Sequence, residues 1–113
     1  MSNKVFIEES FEKPAKKFAK RYPSFPSDLL HLIEDLEVNA LLGSSLGRGL
    51  RKIRLAIKSK RRGKSGGVRV ISFVYLIKNS VHLLFVYDKS DADTIPDEEL
   101  RALLAEFMRL RNE

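Results

Sequence analysis

Three strand-like runs in succession, residues 50–58, 68–77 and 81–87, constrain this chain more than any other feature. Only Lys78-Asn79-Ser80 separates the last two, so they must pair as an antiparallel hairpin. Both are apolar at successive positions, which places them centrally in a sheet. In the first run Ile53, Leu55 and Ile57 alternate with Lys52, Arg54, Ala56 and Lys58. One face of that strand therefore goes to the core, and the other projects a row of cations.

The remaining segments supply cover for the sheet. Residues 5–9 read as a short strand, with Val5 and Ile7 alternating against polar neighbours. Phe11, Ala15, Phe18 and Tyr22 recur at helical spacing and predict a helix over 11–21, with Pro14 near its first turn. Pro23 and Pro26 break the chain, and Leu29, Leu32, Ile33, Leu36 and Ala40 mark a second helix over 26–41. Two such helices in succession form a hairpin suited to covering one sheet face. Residues 43–49, with three glycines, read as a loop. After an acidic exit loop over 88–93, a last helix begins near Pro96, with Thr94 and Asp97 at capping-box spacing. Leu100, Leu103, Leu104, Phe107 and Met108 form its apolar stripe. The expected architecture is α+β, a single domain over 1–113 in the order β-α-α-β-β-β-α. Its sheet is mainly antiparallel and four-stranded.

Charge says what this scaffold carries. No Asp or Glu occurs between Glu37 and Asp88, whereas that interval holds eleven Lys and Arg residues. The two flanks together carry ten basic and fifteen acidic residues, so the net charge of +6 originates in this one block. A field so concentrated points at a polyanion, and nucleic acid comes first. Arg48, Arg51, Lys58, Lys60, Arg61, Arg62 and Lys64 are the expected phosphate-tracking residues, several of them on the loop 59–67. The bland alternative is a basic hairpin tip that serves solubility. The cationic strand leading into it argues for one continuous surface instead.

Several chemistries are excluded. Without cysteine there are no disulfides, thiolate zinc sites or cysteine nucleophiles. The two histidines, His31 and His82, build no metal cage, and no Ser-His-Asp or paired-carboxylate arrangement can be assembled. His82, flanked by apolar residues on a central strand, reads as a packed histidine. Gly63-Lys64-Ser65 resembles the end of a P-loop, but Lys58 stands where the motif needs its first glycine. No apolar run approaches the length of a membrane span, and residues 1–10 lack the apolar core of an export signal, so a cytoplasmic protein is expected. Lys52, Arg54 and Arg69 are the sharpest candidates. The first two lie about 7 Å apart on one strand face, and Arg69 reaches the same face if the next strand pairs there. Fixed cations could hold one phosphate and stabilise charge developing on it. A crowded lysine releases its proton more easily and could act as a base. Tyr87 and Lys89 close the third strand, where an aromatic could stack on a base; alone, Tyr87 also fits a half-buried sheet position.

Residues 50–56 (LRKIRLA), 63–71 (GKSGGVRVI) and 83–89 (LLFVYDK), in this order and spacing, resemble the RelE/HigB toxins of bacterial type II toxin–antitoxin modules, nearer the HigB-like branch. The resemblance spans nearly the whole chain. It implies a metal- and cofactor-independent endoribonuclease that enters the ribosomal A site and cuts mRNA, the ribose 2′-hydroxyl being the nucleophile. A cognate antitoxin would be its partner. By position Lys52 and Arg54 match the lysine or arginine pair on the family's first hairpin strand. Arg69 matches the arginine opening the next strand, associated with the scissile phosphate, and Lys89 falls near a further basic position. RelE carries a catalytic tyrosine in its C-terminal region, whereas this chain has none after Tyr87. The resemblance therefore implies either that Tyr87 substitutes from the strand end or that cleavage is weak or differently organised. Two alternatives remain: a ParE-like fold that inhibits gyrase by protein contact, and a non-catalytic RNA- or ribosome-binding module.

Overall fold

A computed structural model describes residues 2–60, 66–92 and 94–111. The elements run β1 (Lys4–Ile7), α1 (Glu9–Arg21), α2 (Phe25–Val38), β2 (Ser44–Gly47), β3 (Leu50–Leu55), β4 (Val68–Tyr75), β5 (Ser80–Asp88) and α3 (Asp97–Arg111). Single 3-10 turns occupy Lys58–Lys60 and Leu76–Lys78. The strands form one sheet in the order β1-β5-β4-β3-β2. β1 runs parallel to β5, and the other three pairings are antiparallel. The α+β class and the central place of β4 and β5 are as expected.

The sheet has five strands, not four. Residues 44–47 form a strand where a loop was expected, because SSLG has no alternation of its own and takes its extended form from pairing with β3. The tight turn after it needs three successive positive-φ residues, Gly47, Arg48 and Gly49. At Gly49 a Cβ would sit 2.7 Å from Cε1 of Phe73, so only glycine fits beneath that ring. The helices also shift. α1 begins at Glu9, which puts Pro14 in its second turn and removes the amide that would bond the Ser10 carbonyl. At α3 the cap position falls to Pro96, whose carbonyl accepts from the amides of Glu99 and Leu100, so Thr94 lies outside the capping box.

Each sheet face has its own core. α1 and α2 bury Phe11, Phe18, Phe25 and Leu36 against Ile53, Val70, Leu83 and Val86. On the opposite face Leu100 and Phe107 of α3 pack on Leu50, Ile71, Phe73 and Leu84, while Met108 is 37% exposed. Full burial of one such side chain contributes about 1.5–3 kcal/mol, which is why β4 and β5 read as apolar on both faces.

Candidate nucleic-acid interface

The site is built from strand register. Arg54 pairs with Arg69, and Arg69 pairs with Tyr87, so the three form one cross-strand row over β3, β4 and β5. Directly opposed residues share a sheet face, and adjacent strands lie about 4.8 Å apart. The row therefore spans about 10 Å. Lys52, two residues before Arg54, heads the next row with Ile71 and Phe85 on the same face. This is the face that α3 covers, and its core reaches from Leu50 and Phe73 to Tyr87, with Arg54 exposed at the β3 edge.

A β-bulge decides which aromatic joins that row. From Tyr75–Ser80 the β4–β5 ladder runs regularly to Ser72–Leu83, and Leu84 is then left over, so that Ile71 meets Phe85. A ladder without the extra residue would set Arg69 against Val86 and turn Tyr87 to the other face. The Ser10 hydroxyl donates to the Leu84 carbonyl and holds the bulge. At the other end of β4, a Cβ on Gly67 would collide with the Leu55 carbonyl oxygen, so glycine lets β3 and β4 close up beside the two arginines.

Exposure differs along the row. β2 ends opposite Lys52, so β3 beyond it is an outer edge and the Arg54 side chain is exposed. Arg69 is only 3% exposed, and among its contacts the guanidinium reaches the Val68 carbonyl at 3.4 Å. Tyr87 is 9% exposed, its ring stacked at 6.4 Å on Phe85. Lys89 lies just past β5, its amide donating to the Gly67 carbonyl at 3.3 Å.

The expected phosphate-tracking residues divide. Lys58 is exposed. Arg48 sits in the β2–β3 turn, beyond the opposite end of β3, and pairs with Asp97 at 3.5 Å. Arg51 faces α2 and donates to the carbonyls of Leu42 and Gly43 at 3.1 and 2.8 Å. Lys60 is drawn inward, with Nζ 3.0 Å from Asp88 and 5.1 Å from the Tyr22 ring centroid. Arg61, Arg62 and Lys64 lie outside the described residues.

Asp88 is the residue that sequence reasoning missed. It follows Tyr87 but points to the α1–α2 face, fully buried. Tyr22 donates to it at 2.6 Å, Lys60 at 3.0 Å, and the Ser90 amide and hydroxyl at 3.0 and 2.9 Å. Burial alone would push its carboxyl up. Hydrogen bonds from Tyr22, the Ser90 amide, Lys60 and the Ser90 hydroxyl outweigh that and hold it well below the usual carboxylate range. A signal was present: Asp88 ends the acid-free interval on the last residue of a central strand, where a carboxylate must find cations.

His82 lies at the far end of β5, 1% exposed, bonded to Glu8 at 2.8 Å and Ser80 at 3.0 Å and stacked on Phe6. It is a packed histidine, remote from the cation row. Among the described residues no group of three or more His, Asp or Glu side chains could hold a metal ion, and no helix is long and apolar enough to cross a membrane.

Comparison with known proteins agrees with this architecture. The chain is similar in structure to a double arginine-to-alanine mutant of the E. coli toxin RelE in the free state. The TM-score is 0.52 at 18% identity, covering 82% of this chain and 90% of that one. It is also similar to the isolated E. coli RelE toxin, with a TM-score of 0.51 at 18% identity, covering 92% and 98% of the two chains. These likenesses establish the fold. A sequence model described as the RelE toxin of the RelE/RelB toxin–antitoxin system matches residues 3–110. The chain belongs to the RelE toxin family and is the toxin of a toxin–antitoxin module.

Proposed function

We propose that this toxin is a ribosome-dependent mRNA interferase acting in the cytoplasm, with the ribosome and mRNA as targets and a cognate antitoxin as its restraint. The observation that carries the reading is the row Arg54–Arg69–Tyr87 with Lys52 beside it on the same face. Cations fixed on paired strands need little reorganisation when charge develops on a phosphate between them. The ribose 2′-oxygen attacks the adjacent phosphorus as its proton passes to Lys52, while Arg54 and Arg69 stabilise the equatorial oxygens. The bond from phosphorus to the 5′-oxygen then breaks, and Tyr87 or Lys89 supplies that oxygen with a proton. The products are a 2′,3′-cyclic phosphate and a 5′-hydroxyl. The reaction asks for neither metal nor cofactor. Arg48, Lys58, Arg61, Arg62 and Lys64 contribute docking charge, whereas Arg51 and Lys60 serve the surface from beneath, through the partners they bind.

The test is mRNA cleavage in a translating extract by the wild type and by the double variant Lys52→Ala/Arg69→Ala, with 5′ ends mapped. New 5′-hydroxyl ends with the wild type alone support the assignment, and equal cleavage by both proteins removes it. DNA damage with intact messages would move the protein to gyrase inhibition. Salt-dependent ribosome binding without cut product would leave a non-catalytic binding module.

A further inference from the structure

We propose that the groove between α2 and the open edge of β3 is a base-binding subsite that takes a guanine of the RNA strand, with Asp28 selecting it. The inference rests on the RNA reading of the neighbouring cation row and deepens it by naming a base.

The groove encloses about 550 Å³, within the range of ligand-binding clefts. Leu32 and Ile53 give it apolar walls, and both belong to the core beneath. One side is bare strand edge. β2 ends opposite Lys52, and no described strand pairs with β3 past it on that side. The Leu55 carbonyl points to Gly67 on β4. Bonding directions alternate along a strand, so the N–H and C=O of Arg54 and Ala56 turn to the groove.

Asp28 is only 4% exposed, yet its carboxylate is half used. Oδ2 accepts the Ser24 hydroxyl at 2.7 Å and the Lys58 amide at 3.1 Å, which fixes the orientation of the group. Oδ1 accepts from no described residue and is not sealed from solvent. A carboxylate oxygen held at a cavity wall without a donor is costly and calls for one.

Charge divides the groove. Asp28 and Asp35 line its α2 side, while Lys52, Arg54 and Lys58 line it from β3 and the turn beyond. A nucleotide carries the complementary poles, amine donors on the base edge and an anionic phosphate on the backbone. The carboxylates repel the phosphate, which stays with the cations, so the base is the part that enters. Lys52 and Arg54 belong to the cation row as well, and one RNA strand passes from row to groove. Guanine suits Oδ1, because N1–H and the N2 amine are adjacent donors on its Watson–Crick edge. Adenine and cytosine set a lone pair beside their amine, and uracil flanks its N3–H with two carbonyls. A carboxylate repels those acceptors.

Single nucleotides test the groove without mRNA or ribosomes. In NMR titrations of the wild type, guanosine 5′-monophosphate should saturate the amide shifts of Arg54 and Ala56 at about 10-fold lower concentration than uridine 5′-monophosphate. Inosine 5′-monophosphate, which lacks only the N2 amine, should fall between them. Asp28→Asn keeps the side-chain size and an oxygen for Ser24 and Lys58, and turns an NH2 donor to the groove. The guanosine preference should then drop to about 2-fold or less. The inosine comparison needs no variant, so it decides the matter if Asp28→Asn does not fold. Equal binding of the three nucleotides by the wild type, or no binding, overturns the subsite. A guanosine preference that survives in folded Asp28→Asn overturns the role of Asp28. Amides that answer an N-acetylated Leu-Lys-Leu peptide and no nucleotide would make the edge a protein-docking surface, which also overturns it. In mapped mRNA, guanine should be enriched at one fixed position near the cuts made by the wild type and not near those made by Asp28→Asn. Guanosine binding without that enrichment would assign the groove to a free guanine nucleotide and overturn the RNA assignment. Absence of any new mRNA ends is the failure of the interferase reading, a separate result, and the titrations still decide the groove.

Discussion

Tyr87 and Asp88 are neighbours in β5, yet they face two different environments at one end of the sheet. On the Tyr87 side, Lys52, Arg54 and Arg69 gather on a single face, with Arg54 exposed on an outer strand edge. On the Asp88 side, Lys60 and Arg21 converge on one buried carboxylate on the face covered by α1 and α2. The cations come from the same basic chain, but their fates are opposite. Whether a lysine is available to a ligand depends on which face the alternation gives it and what lies under that face. It does not depend on how many positive neighbours it has in sequence. Arg54 and Lys60 stand six positions apart and illustrate the two outcomes.

The contrast can be broken most forcefully from the buried side. Asp88→Ala leaves Lys60 without its partner and should lower unfolding stability by about 3–5 kcal/mol, whereas Arg54→Gln on the exposed edge should stay within about 0.5 kcal/mol of wild type. Urea unfolding followed by circular dichroism measures both, and similar losses would show that the faces are not so different. Acid should expose the same centre. The Asp88 carboxyl titrates lower in the folded chain than in the unfolded one, so its contribution is complete above the usual carboxylate range and is lost as pH falls through the folded value. Thermal stability of the wild type should therefore fall more steeply from pH 5 to pH 2 than that of Asp88→Asn, and parallel profiles would contradict the assignment. The smallest effect concerns the bulge that aligns Tyr87 with Arg69. Ser10→Ala removes the hydrogen bond to the Leu84 carbonyl and should cost about 1 kcal/mol, with faster amide exchange around Phe85 as its signature.

Much of this was legible in the amino-acid sequence because it depends on short periods. The two-residue period of β3 puts Lys52 and Arg54 on one face without any knowledge of the fold. Continuous apolar runs place β4 and β5 at the centre for the same reason, since both of their faces are covered. What escaped depends on partners distant in the chain. β2 is a strand only because β3 lies alongside it, and nothing in Ser-Ser-Leu-Gly encodes that. The alignment of Arg69 with Tyr87 turns on one bulged residue, and a single-residue slip reverses every facing. Lys60 and Asp88 meet across 28 positions, so a count of local charge cannot show that Lys60 turns inward to a buried carboxylate.

The most direct measurement of the central claim compares Arg54→Gln with Lys60→Gln during induced expression, mapping new mRNA 5′ ends with translation running and with it blocked. The cation-row account predicts that Arg54→Gln loses cut ends by about 10²-fold or more while remaining ribosome-associated. Lys60→Gln should cut at the wild-type positions, with more protein needed to reach the same extent. Loss of cutting by Lys60→Gln equal to that by Arg54→Gln, with both proteins folded, would contradict it.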